Sequence, residues 1–200
     1  MKGMARPRSA RAHSAVLDAA TALFTERGID STSMDAIAAL SGVSKATIYK
    51  HWPDKDKLAL EVLSHLHGLD EEQPIFHSGD QLDHLRADLI SQLTYQPAPE
   101  RTELKERLMP HLMAYSIRNQ EFGLAWRKQV VGRHRTAISV IFERAVNDHL
   151  LCPLDPETGF ALLFGPILYK HIFLSPNKVM RPPIEFVEQV VDAFLRAFAA

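Results

Sequence analysis

Five side chains within seven consecutive residues, Lys45, Thr47, Tyr49, Lys50 and His51, are hydrogen-bond donors with an aromatic among them and no acid. Such a set suits a polyanion, because ammonium groups meet phosphate oxygens as point charges while hydroxyl and imidazole groups donate to neutral acceptors. The charge distribution agrees. Residues 1–60 hold nine Lys and Arg against six Asp and Glu, a net of +3, whereas the remaining 140 residues carry −4 within an overall −1. A basic head on an acidic body points to an anionic partner for the head.

Other chemistries lack their residues. The chain has no Gly-rich phosphate loop, nucleophile elbow or acid pair at a working spacing, so no catalytic residue is expected and the protein is read as a non-enzyme. Ten histidines invite a metal reading. His65 and His67, however, are two apart on a helix and face different sides, and His111, His134, His149 and His171 are scattered; no metal and no cofactor are expected. Cys152 stands alone and reads as an incidental thiol in a reducing compartment. No run approaches the roughly 20 apolar residues of a membrane span, and no apolar segment follows the basic N-terminus as in a secretory signal. The expected location is cytoplasmic, with no membrane partner.

The donors must be positioned, and the flanking sequence supplies helices to do it. Val16, Leu17, Ala20, Leu23 and Phe24 recur at the spacing of one helix face over residues 9–27, ended by Gly28. Thr32-Ser33-Met34-Asp35 reads as a capping-box-like start, with the Thr32 hydroxyl as cap, for a short helix from Met34 to Leu40. Gly42 suits the left-handed conformation that closes it. Ser44 then caps a second short helix, Lys45 to His51; Pro53 ends it, and Asp54 caps a long helix reaching about Leu69. Two short helices across a glycine turn make a helix-turn-helix unit. Its inward residues are expected to be Ile37, Ala38, Val43, Ile48 and Trp52, which turns the five donors outward.

Beyond residue 80 every periodic segment is helical, with helices expected at about 80–95, 101–117, 119–149, 156–174 and 183–199. Pro110 should kink or split the second of these, and residues 70–79 read as a linker. The fold class is therefore all-α with about nine helices: a three-helix helix-turn-helix domain at 1–60 and a larger helical domain at 61–200. Two apolar faces stand out in the latter. Phe160, Leu163, Phe164 and Ile167 line one helix, and Val187, Val190, Val191, Phe194 and Leu195 line the last. Faces so wide on terminal helices suggest pairing with a second copy as a four-helix bundle.

The run STSMDAIAALSGVSKATIYKHWPDKDKL at residues 31–58 closely resembles the N-terminal signature of the TetR family of transcriptional regulators. The correspondence includes paired Ser/Thr before the second helix, Ile37-Ala38 inside it and Gly42-Val43-Ser44 at the turn. It continues through Thr47-Ile48-Tyr49 and His51-Trp52 in the third helix, then Lys55 and Leu58 opening the fourth. Ala46 stands where glycine is frequent, and Trp52 where phenylalanine is usual.

The resemblance implies a homodimer that grips a palindromic double-stranded DNA operator, acts as a repressor and releases it when a small apolar or amphipathic effector binds the body. The DNA-facing set is then Arg6, Arg8, Thr32, Ser33, Ser44, Lys45, Thr47, Tyr49, Lys50, His51 and Lys55. Thr32, Ser33 and Lys55 would sit at helix N-termini facing phosphates, and Arg6 and Arg8 on a basic arm along the backbone or minor groove. Met109, Met113, Tyr115, Phe122 and Trp126 mark a region for the effector pocket, but such stripes are more often core, and no ligand-binding residue is named. The alternative is a DNA-binding regulator controlled by a protein partner or by abundance, without a small-molecule ligand.

Overall fold

The computed structural model describes residues 8–69, 81–95, 98–173 and 183–200, leaving aside the side chains of Arg8, Ser9 and residues 171–173. The α-helices are α1 (Arg8–Arg27), α2 (Met34–Ser41), α3 (Lys45–His51), α4 (Lys55–Leu66), α5 (Leu82–Thr94), α6 (Pro99–Arg118), α7 (Gln120–Trp126), α8 (Gly132–Asn147), α9 (Pro156–Phe173) and α10 (Ile184–Phe198). A π-helical turn, Arg127–Val131, joins α7 to α8 in one helical run, so the described residues form nine helices. Among them the one extended pairing is an isolated antiparallel bridge between Leu151 and Ala199.

These elements pack as two units. The first comprises residues 1–70 with 97–130, the second residues 71–96 with 131–200. The first unit's core draws Val16, Leu23 and Phe24 from α1, Ile37 from α2, Ile48 from α3, Leu58 and Leu63 from α4, and Leu108, Leu112 and Tyr115 from α6. Tyr115 and Phe122, expected near a ligand pocket, are buried here edge to face with ring centroids 4.9 Å apart. Met109 and Trp126 pack partly buried against the same core.

The second unit is built on α5, α8, α9 and α10, with Leu85, Leu89, Ile138, Ile141, Phe142, Leu163, Val191 and Phe194 at its centre. Asp88 is buried on α5 but not unpaired, since Arg144 of α8 donates to its Oδ2 at 2.6 Å. A buried carboxylate without such a partner would be strongly unfavourable.

One expectation about helix ends is corrected. The cap of α2 is Ser33, whose Oγ accepts the Ala36 N–H at 3.1 Å, while Thr32 turns inward. Of the two outcomes expected at Pro110, a kink or a split, the split does not occur, since α6 runs as a single helix through it. The expected linker at 70–79 lies outside the described residues.

Candidate nucleic-acid interface

The local rules that make α2 and α3 can be read residue by residue. Ser33 caps α2, and Gly42 ends it at φ 68°, its N–H donating to the Ala38 carbonyl at 3.0 Å. Glycine has no Cβ to clash in that conformation. Ser44 caps α3, accepting the Thr47 N–H at 3.3 Å, and Asp54 caps α4, accepting the Lys57 N–H at 2.7 Å. Ile37 and Ile48 are fully buried and Trp52 nearly so, with Ala38 and Val43 half-buried, so the inward side of the pair is the expected one.

The opposite side of α3 carries the donors. Lys45, Tyr49, Lys50 and His51 are exposed, Tyr49 to 48%, and Thr47 is half-buried. An exposed tyrosine on a seven-residue helix has no packing role to explain it. The Thr47 hydroxyl shares a 2.9 Å hydrogen bond with Ser44, so both side chains are engaged in capping at the N-terminal end. Lys45 reaches across the turn to Asp35 at 2.5 Å, both side chains being more than half exposed. Such a pair contributes little to stability and opens readily to a competing phosphate. Ser33 is exposed at the start of α2.

Two expected phosphate ligands have other partners. Thr32 is buried, its hydroxyl donating to the Gly28 carbonyl at 2.8 Å and more weakly to that of Leu23 at 3.4 Å. Lys55 donates to the Asp30 and Thr32 carbonyls at 3.1 and 3.0 Å, tying the start of α4 to the loop before α2. Arg118 of α6 also pairs with the Asp30 carboxylate. Sequence spacing does not reveal the contacts of Lys55 and Arg118, because their partners are 23 or more residues away. Arg6 lies outside the described residues, as does the Arg8 side chain.

Asp35, His13 and Glu61 stand near this face although residue spacing does not single them out. Trp52 Nε1 donates to Glu61 Oε2 at 2.6 Å, and His13 Nε2 lies 2.7 Å from Glu61 Oε1. Beside them is an open cleft of about 490 Å³ lined by His51, Trp52, Pro53, Lys57, Leu60, Glu61 and Gln129. Among the described residues no group of His, Cys, Asp and Glu is arranged to hold a metal ion, and no helix is long and apolar enough to cross a membrane.

A residue set expected on a second surface has a different position. Phe160, Leu163, Ile167, Val187, Val191, Phe194 and Leu195 are buried within the protomer, and Phe164 and Val190 pack partly buried against the second unit's core. The apolar faces that cover them come from α5 and α8, helices whose contribution is not apparent from the stripes of α9 and α10 alone. Beyond its first turn α9 leaves Ala161, Leu162, Gly165, Pro166, Leu168 and Tyr169 exposed.

Two capped helices across a left-handed glycine, with exposed donors on the second, make a helix-turn-helix unit. Residues 16–62 match the family model described as bacterial regulatory proteins, tetR family, and residues 81–194 match that of the tetracyclin repressor-like C-terminal domain. The chain belongs to the TetR family. It is 28% identical over 166 residues to the HTH-type transcriptional regulator YdeS of Bacillus subtilis (strain 168), covering 82% of this chain and 80% of that one. A solved TetR family transcriptional regulator from Pseudomonas syringae pv. tomato str. DC3000 is 26% identical at a TM-score of 0.68, with 94% and 96% of the two chains covered. The Flavonoid-responsive Regulator FrrA shares the fold at a TM-score of 0.73 and 22% identity, with 95% and 98% covered.

Proposed function

We propose that this regulator binds a palindromic operator as a homodimer, represses transcription by occupying it, and is released by a small apolar or amphipathic effector. The observation that carries the DNA reading is the exposed set Lys45, Tyr49, Lys50 and His51 on a helix that contains no acid, capped at Ser44 and anchored by Ile48. In this reading Tyr49 and Lys45 meet base edges in the major groove. Lys50, His51, Ser33 and the capped N-termini contact phosphates. Lys55 and Thr32 act behind the face by fixing the loop before α2. Arg6 and Arg8 form the arm.

One small module binds DNA weakly, so two-fold pairing is part of the proposal. Recognition helices about 34–36 Å apart reach successive major grooves. Between Phe160 and Tyr169 the sequence of α9 has no charged residue, although the protomer covers just one side of it. A helix apolar all round calls for burial all round. We place the pairing surface on Leu162, Gly165, Leu168 and Tyr169 of α9.

The effector is assigned to the body at 61–200, leaving residues 1–60 to hold DNA. The fold relative named for its response to flavonoids supports a small ligand of that apolar or amphipathic character. Selection of bound duplexes from random DNA with purified protein, followed by a screen for compounds that abolish binding, tests the whole reading. A palindromic consensus and a releasing compound are expected; selected sequences without symmetry would refute it.

A further inference from the structure

α3 has seven residues, too few to persist as a helix unaided, and Ile48 is its one buried side chain. A single anchor leaves a short helix free to turn about that point, so its pose needs a second. Trp52, immediately after α3, provides it. The indole is nearly fully buried, and packing alone would let a flat ring slide. Its N–H gives direction: it donates to Glu61 Oε2 at 2.6 Å. The other oxygen, Oε1, lies 2.7 Å from Nε2 of His13, whose ring rests on the Trp52 ring at a centroid distance of 4.7 Å. One carboxylate thus ties α1, the end of α3 and α4 together, and its two oxygens serve different elements.

We infer that Glu61 is a positioning residue for DNA recognition, setting the pose of α3 through Trp52 without touching DNA itself. This rests on the reading in which α3 faces the major groove. A hydrogen bond from a buried indole to a carboxylate is charge-assisted and directional. Without an acceptor the N–H is stranded, and the ring is free to rotate to another orientation, carrying the end of α3 with it. Base-edge contacts tolerate such rotation poorly, whereas phosphate contacts through flexible lysines tolerate it well. Loss of Glu61 therefore acts on discrimination between sequences more than on attraction to DNA.

The test compares wild type, Glu61→Ala, Glu61→Gln and Trp52→Phe for binding to the selected operator and to random-sequence duplex, at a temperature where circular dichroism gives the same helicity for all. Glu61→Ala is expected to weaken operator binding about tenfold or more and to leave random-sequence binding unchanged. Glu61→Gln is expected to restore the operator affinity, since its amide oxygen accepts from Trp52 and its NH2 group can donate to a ring nitrogen of His13. Trp52→Phe keeps a ring in place without the N–H and is expected to behave like Glu61→Ala; it decides the matter if Glu61→Ala fails to fold. Operator affinity unchanged in Glu61→Ala or in Trp52→Phe overturns the inference. So does a parallel fall in operator and random-sequence binding, or a Glu61→Gln protein as weak as Glu61→Ala. Wild-type protein with no sequence preference would instead overturn the DNA reading beneath it.

Discussion

The Tyr115 phenol on α6 donates a 2.6 Å hydrogen bond to Oδ1 of Asp56 in the first turn of α4. Burial of the ring, then this bond, then the negative charges of Asp56, Asp30 and Asp54 all favour the neutral phenol and push its pKa well above the usual tyrosine value. The folded value thus exceeds the unfolded one, near 10. The associated stability is complete below about pH 10 and is lost as pH rises through the folded value. Tyr115→Phe is expected to cost about 1–2 kcal/mol at neutral pH. It should also remove this contribution to alkaline destabilisation. Urea unfolding of both proteins from about pH 7 to about pH 11 checks both effects; curves that stay parallel above about pH 10 would disprove the second.

Gly28 and Gly42 both adopt left-handed backbone, at φ 84° and 68°, but their surroundings differ. A Cβ at Gly42 meets nothing within 4 Å, whereas one at Gly28 would lie 2.9 Å from His111 Nδ1. Gly42→Ala is expected to cost about 1–2 kcal/mol, the conformational penalty alone. Gly28→Ala should cost more, because the His111 ring must also move. Thermal unfolding ranks them, and equal costs would mean that His111 yields freely.

Tyr49 is half exposed and outside the core, so Tyr49→Ala should leave the melting temperature within a degree or two. Operator affinity should fall at least about tenfold, or about 1.4 kcal/mol. Lys50→Gln, in contrast, should weaken all duplexes alike. It should also reduce the slope of log affinity against log salt by about 1, since one phosphate fewer is neutralised. Gel shifts across a salt series separate the two behaviours.

Leu162 is 47% exposed on α9 and outside the protomer's core, so Leu162→Arg is expected to fold. It should shift the protein from dimer to monomer in sedimentation, and operator binding should fall with it. A variant that remains dimeric would move the pairing surface elsewhere.

The helix-turn-helix is legible in the chain because its signals are local. A serine three residues before the amide it caps, a glycine at the close of α2 and Pro53 after α3 each act within a turn or two of chain, and Ile37, Ile48 and Trp52 fall within 16 consecutive residues. The outward donors of α3 follow from that spacing. Features that the local spacing leaves open were settled by packing instead. Ser33 and not Thr32 caps α2, because the Thr32 hydroxyl is drawn to carbonyls at the end of α1. Lys55 binds the loop before α2, through Asp30 and Thr32, 25 and 23 residues back. The aliphatic stripes of α9 and α10 could not show from their composition which side faces the protomer; the packing of α5 and α8 resolved that, leaving Leu162, Leu168 and Tyr169 outside. No local signal marks Glu61; the fold brings His13, 48 residues away, and Trp52 to its two oxygens.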